Sequence, residues 1–568
     1  MPTKSCPTEH FPVRCIRRDP GKCGSFHGKG HSSPLSPMRT GSENGLLSAL
    51  LLGIMSLPFV GLHAQNVNVL TWHYDNARDG LNRSETVLTQ ANVNPQSFGK
   101  VGFFSTDGVV DAQPLHVLID IAGTPHNALF AATENDSVYA FDEQSGDVLW
   151  KTSLLKAGEV PSDDRSCDSN APEIGVTSTP VIDLSQGPNG AIYVVAMSKN
   201  SSGSYFQRLN ALDPTTGKQL FGGPVTIAAT YPGSSKNGID GTLTFSAEQY
   251  TERAALLEWN GAIYTTWASH CDHSPYNGWI IAYSASTLRQ TAVLNLTPNG
   301  GAGGIWMSDA GPAATSTGIL FLDGNGTFDT TLDSNGFPDH QDFGNGFLQL
   351  ELGSTGKLQV EDYYATDTTV QQSDSDIDLG SGGVVLFPNF LDSSGNVRML
   401  AAGAGKDGNI YIVNRSNMGK YHPNGGSIYQ VVSNALPNGE YGAPAFFNDK
   451  LYFGGHSDNL KAFFVSDAKV SSVPVSRSAN TFGYPGTTPS ISANGAANGI
   501  VWAVSHSSPS VLYAYNAEAL SQQLYDSNES GSRDQFGNAS GFIAPMIANG
   551  RVYVGTTAGV AVFGLLAK

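Results

Sequence analysis

Eight times along the chain a short run of the form apolar, small, apolar, polar returns, and this repeat limits the possible folds more than any other feature. Its clearest copy is Tyr139-Ala140-Phe141-Asp142, which turns through Gly146 and resumes toward Trp150. Further copies are Leu209-Asn210-Ala211-Leu212-Asp213 (turning through Gly217), Ile281-Ala282-Tyr283, Leu348-Gln349-Leu350-Glu351 and Tyr411-Ile412-Val413-Asn414. Lys461-Ala462-Phe463, Tyr513-Ala514-Tyr515-Asn516 and Ala561-Val562-Phe563 complete the set. Stepping from Ala140 to Val562, the intervals are 71, 71, 67, 63, 50, 52 and 48 residues. Periods of this size mark stacked or radial arrays of one supersecondary unit.

Each copy has apolar strands upstream, often opened by proline, as at Pro114, Pro180, Pro312, Pro444, Pro489 and Pro545. The unit is thus three strands plus the one that follows the turn. In Asp-x-x-x-Gly, Asp ends the strand by accepting nearby backbone N–H groups and Gly supplies a positive φ. Four-stranded antiparallel sheets cannot cover both faces alone, so they stack radially. The expected fold is all-β, an eight-bladed β-propeller of four-stranded antiparallel blades over residues 98–568, with 65–97 as an N-terminal segment. The last unit ends without an outer strand, and residues 100–105 are expected to supply it and close the ring.

Composition agrees: 65 glycines and only 14% charged residues suit short strands and many turns. Leu46–Leu62 is an apolar run followed by His63-Ala64-Gln65, which reads as a signal peptide over 46–64 with cleavage after Ala64. Its polar preamble is unusual, and initiation at Met38 would give a shorter leader with Arg39 as its basic end. Residues 1–64 hold seven Lys+Arg and three Asp+Glu, so without them the chain's 31 and 49 become 24 and 46, a formal charge of −22. Such a surface disfavours nucleic acid and anionic membranes. The expected location is extracytoplasmic, periplasmic or secreted, with no membrane span after cleavage and a monomeric chain. Cys167 and Cys271 remain, and in an oxidising compartment they could pair.

Propeller ligands sit at the axial mouth, and the long loops lie in the first five units. His270-Cys271-Asp272-His273 is either a metal cluster or a loop that satisfies its own hydrogen bonds. Asp323-Gly324-Asn325-Gly326-Thr327-Phe328-Asp329, with Asp333, Asp339 and Asp342, is either an oxygen-rich calcium loop or a plain turn. Ser373 to Asp378 forms a third acidic run. There is no Ser-His-Asp signature, nucleotide fingerprint or haem-attachment Cys-x-x-Cys-His.

Segments such as LFAATENDSVYAFDEQSGDVLWK and GKDGNIYIVNR resemble the repeats of the pyrroloquinoline quinone (PQQ) dehydrogenase-like propeller family, over essentially all of 98–566, and are similar to exported bacterial members of it. That resemblance implies Trp306, in Gly303-Gly304-Ile305-Trp306, as the platform under a quinone. It implies Asn325 as a calcium ligand, Asp378 as general base and Lys406 as the cation at the quinone carbonyl. It also exposes departures. Ser166-Cys167-Asp168 stands where the family's dehydrogenases often carry two adjacent cysteines, and Ser202 falls near their calcium-binding Glu. The expected function is binding of a small-molecule or protein ligand at the mouth without full quinoprotein chemistry. The alternative is a PQQ/calcium-dependent oxidoreductase acting on an alcohol or sugar.

Overall fold

The computed structural model describes residues 66–165, 167 and 172–567; the leader and its alternative start fall outside them. Almost all regular structure is strand, gathered into the small antiparallel sheets of an eight-bladed propeller. Every copy of the repeat is the third strand of a blade: Ser137–Asp142, Tyr205–Leu212, Trp279–Ser284, Phe347–Leu352, Ile410–Asn414, Asp458–Ser466, Val511–Asn516 and Gly559–Leu565. These strands number blades one to eight. In blade one the strands Leu115–Ile121, Thr124–Ala132, Ser137–Asp142 and Val148–Ser153 pair in chain order. In blade one the third strand is buried on both faces because a neighbouring blade covers each side, while the fourth varies between exposed and half-buried.

The turn chemistry holds at atomic detail. Asp142 Oδ1 accepts the N–H groups of Gln144 at 3.0 Å and Ser145 at 2.9 Å, and Gly146 takes φ 77°. Asp213 repeats the arrangement with Thr215 and Thr216, ahead of Gly217 at φ 66°. Blades are also locked to one another here. The Trp150 indole of blade one donates to Pro214 O of blade two at 2.8 Å, beside a Gly217 that has no room for a Cβ.

Blade eight consists of Met546–Ala548, Arg551–Thr556 and Gly559–Leu565, with Phe98–Ser105 as its fourth strand, paired from Phe98↔Leu565 to Ser105↔Gly559 with a register shift between Lys100 and Gly102. Phe98 fills the gap toward blade seven against Trp502 at 5.3 Å and Tyr525 at 5.0 Å. No helix among the described residues is long and apolar enough to cross a membrane.

The segment before this strand, which carries no copy of the repeat, runs through the hub. Its groups meet the innermost strands of successive blades: Val69 bridges His116, Leu70 O accepts Ile182 N–H, and Asn76 Nδ2 donates to Glu258 O. Asn76 O, Ala77 O, Asp79 O and Gly80 O then accept from Ala314, Leu386, Phe446 and Ile491, and the Tyr74 hydroxyl accepts Ile547 N–H. All eight blades are therefore tied to the single stretch Val69–Gly80. Arg78 is its centre. Fully buried, it donates to Pro312 O at 2.9 Å, Thr71 Oγ1 at 2.7 Å, Trp72 O at 2.8 Å and Leu256 O at 3.3 Å. The segment fills the hub at the level of these strands, and the loops that precede them form a rim.

Candidate ligand site at the propeller mouth

That rim holds a cavity of about 280 Å³, lined by residues of blades one to four and by Tyr484 and Phe542 from the loops entering blades seven and eight. The loop from blade three to blade four delivers Trp306 to its wall. Tyr276 meets the indole edge-on, at 6.4 Å and 83°. Gly324 sits so close beneath that a Cβ there would stand 2.5 Å from Asp378 Oδ1 and 2.6 Å from Trp306 Cδ1. The glycine is what lets the blade-four loop, Trp306 and Asp378 meet.

All four residues singled out by the family resemblance come together. Asp378 Oδ1 accepts Asn325 N–H at 2.6 Å, and Lys406 Nζ lies 2.6 Å from Asp378 Oδ2 and 2.8 Å from Asp376 Oδ1. Asn325 Nδ2 donates to Asp376 at 2.8 Å, while its Oδ1 is buried without a partner. Burial pushes the Asp378 carboxyl up against the pull of Lys406. Burial also works against the Lys406 ammonium, but the two carboxylates outweigh it and hold its pKa above the ordinary lysine value. Asp376, part of an acidic run with no assigned role, is thus a structural member of the cluster.

Other residues of the mouth carry weaker sequence signals. Glu134 follows the apolar strand Thr124–Ala132 and is buried, accepting Gly175 N–H at 2.6 Å and the Thr177 hydroxyl at 2.8 Å. Burial and then Asp111 hold its carboxyl far above the usual range. Asp309 is raised to about 7 by burial, with Arg253 opposing from 3.7 Å. The Arg253 guanidinium lies 4.8 Å over the Phe542 ring. Six blades contribute these groups, so no sequence window contains them.

Cys167 and Cys271 are joined in a disulfide with Cα atoms 5.4 Å apart, and both residues line the cavity. A disulfide therefore stands at the mouth although the adjacent pair is missing. It also removes Cys271 from the metal reading of its loop. His270 is buried with its pKa lowered to about 4 by desolvation, and Asp272 accepts the Tyr276 hydroxyl. The blade-four acids are likewise engaged by their own backbone: Asp333 Oδ1 accepts Asn335 and Phe337 N–H, and Asp342 Oδ1 accepts Asn299 and Gly300 N–H. Among the described residues no group of three or more His, Cys, Asp or Glu is set to hold a metal ion. Ser202 lies exposed in the turn before Tyr205–Leu212, its N–H bonded to Asn200 Oδ1.

At the edge of the rim, Glu440 is fully buried, with Oε1 accepting Gly442 N–H and Oε2 unpartnered. Burial raises its carboxyl to about 8. The folded state then binds the proton more tightly than the unfolded chain, so this contribution to stability is complete below about pH 4.5 and is lost as pH rises through 8. Glu440→Gln is expected to flatten that loss. Between pH 5 and pH 8 the parent should lose about 2–3 kcal/mol more than the variant, read from urea unfolding at the two pH values.

The fold is that of the quinoprotein dehydrogenases. Quinohemoprotein alcohol dehydrogenase from Comamonas testosteroni superposes with a TM-score of 0.55 at 14% identity, covering 89% of this chain and 82% of its own. A quinohemoprotein alcohol dehydrogenase from Pseudomonas putida HK5 gives 0.52 at 13%, covering 88% and 81%. A europium-containing methanol dehydrogenase gives 0.54 at 12%, covering 88% and 98%. No protein-family model matches the chain, and no curated protein matches its sequence.

Proposed function

We propose that this chain is an exported PQQ-like propeller that binds a small ligand at its axial mouth without the full chemistry of a quinoprotein. One observation carries the reading: the Lys406 ammonium lies 2.6 Å from Asp378 Oδ2. Both Asp378 oxygens are already engaged, one by Asn325 N–H and one by lysine. A divalent ion reaching for Asn325 Oδ1 and Asp378 would meet this fixed positive charge in a medium of low dielectric. The residues do not fit calcium.

They fit a flat conjugated ring better. The half-buried Trp306 offers a stacking face, with Arg253 on the same cavity wall as a partner for a ligand carboxylate. PQQ is one such ring, and its carbonyls could accept from Lys406. The long-range disulfide supports export, because such bonds persist in oxidising compartments.

The second reading, a PQQ/calcium-dependent oxidoreductase acting on an alcohol or sugar, draws on the unpartnered Asn325 Oδ1. There Asp378 would be the base that takes the hydroxyl proton. Calorimetry with PQQ, with and without calcium, separates the two. The proposal expects binding that is indifferent to calcium, weakened at least about tenfold by Trp306→Ala, with no dye reduction from alcohols or sugars. Calcium-dependent dye reduction abolished by Asp378→Asn would establish the second reading instead.

A further inference from the structure

Beside the mouth, over blades seven and eight, lies a second cavity of about 280 Å³. Its walls come from the loop that enters blade seven, the turn after Ala497–Ser505 and the loop that enters blade eight. No carboxylate, ammonium or guanidinium lines it. That is unusual for a chain with a formal charge of −18 whose neighbouring cavity carries several acids and Arg253. Burial pushes the His506 imidazole down to about 4, so at neutral pH it too is uncharged. A charged ligand would find no counter-ion here.

The wall offers hydroxyls and amides instead, among them Ser508, Asn538 and Thr557. His506 Nδ1 is buried with no partner, an unfilled hydrogen-bonding valence on the cavity wall. One edge is aromatic. Tyr484 is 60% exposed and is held edge-on by Tyr441 at 5.4 Å, His456 at 5.4 Å and Phe542 at 6.4 Å. A single exposed ring would be ordinary, but Tyr441, His456, Tyr484 and Phe542 form one connected aromatic cluster, the kind of contiguous surface that ligand grooves present.

We infer that this cavity binds a neutral saccharide. A pyranose ring carries C–H groups on its faces and hydroxyls around its rim, which matches an exposed aromatic face beside an uncharged wall of hydroxyl, amide and neutral imidazole groups. The inference does not rest on the quinone reading: Tyr484 and Phe542 border both cavities, but Trp306, Asn325, Asp378 and Lys406 do not line this one.

The test is calorimetric titration of the full chain with cellohexaose, maltohexaose and laminarihexaose, and with a hexamer of galacturonic acid as a charged control. At least one neutral hexasaccharide is expected to bind, and the acidic one to bind at least about tenfold more weakly. Tyr484→Ala should reduce the neutral affinity at least about tenfold without moving the melting curve, because the ring is mostly exposed. Trp306→Ala, at the axial cavity, should leave that affinity within about twofold. The inference is overturned if none of the three neutral hexasaccharides binds at millimolar concentration. It is equally overturned if the bound sugar is lost with Trp306→Ala and kept with Tyr484→Ala.

Discussion

Arg78→Ala should lower the free energy of unfolding by about 3–5 kcal/mol in urea titration, more than any surface substitution in this chain. Arg78 has no exposed surface, and its guanidinium supplies donors to the carbonyls of Trp72, Leu256 and Pro312 and to the Thr71 hydroxyl. Truncation strands those acceptors in the hub. A buried polar group without its partner costs about 1–3 kcal/mol, and the cavity adds to that. Arg78→Lys tests the geometry separately. It keeps the charge but loses the planar fork that reaches three segments at once, so most of the loss should persist. A change below about 1 kcal/mol for Arg78→Ala would show that the hub segment is held by its backbone bonds alone.

Removal of residues 98–105 is the second large effect. The deletion takes away the fourth strand of blade eight, together with Phe98, which packs between Trp502, Tyr525 and Phe563. Lys100 N–H donates to Asp534 and Arg533 donates to Phe98 O, so the strand is also pinned to the loop that follows blade seven. Without it, Gly559–Leu565 becomes an unpaired apolar edge, the kind that associates with other chains. The expected result is loss of a cooperative melting transition, with aggregation on heating. Phe98→Ala grades the same contact and should cost about 3–5 kcal/mol. A deletion variant whose melting curve matches the parent would refute the role of this strand.

The blades were readable because their signals are local. A third strand covered on both faces is mostly apolar, and Asp142 and Asp213 close theirs with carboxylates that bond N–H groups two residues on. The radial repeat then follows from burial. The mouth was readable only in part. Trp306, Asn325, Asp378 and Lys406 stand in glycine-rich or acidic loops that resemble a known family, and the fold hydrogen-bonds the last three together and sets Trp306 and Asp378 on either side of Gly324. What resemblance could not reveal is that Lys406 pairs with Asp378 itself, because a pairing between the loop that enters blade five and a turn within that blade leaves no mark on either stretch.

The hub segment was not readable at all. Its contacts are mostly made by main-chain carbonyls such as Ala77 O and Gly80 O, which any residue would carry, and their partners lie hundreds of positions away. Glu134, Arg253 and Phe542 escaped for a related reason. Each is a single polar or aromatic residue at a strand's edge, and only the ring arrangement gives them a common cavity.

The partnership between Phe98–Ser105 and Gly559–Leu565 sets an order of events for the newborn chain. The earlier strand leaves the ribosome more than 450 residues before its mate, so the wheel cannot shut until synthesis is nearly complete. Early blades must wait with an open flank, around a hub segment most of whose partners have yet to be made, and contacts this distant in sequence form slowly. Any factor that shields the waiting blades should therefore raise the yield of finished protein.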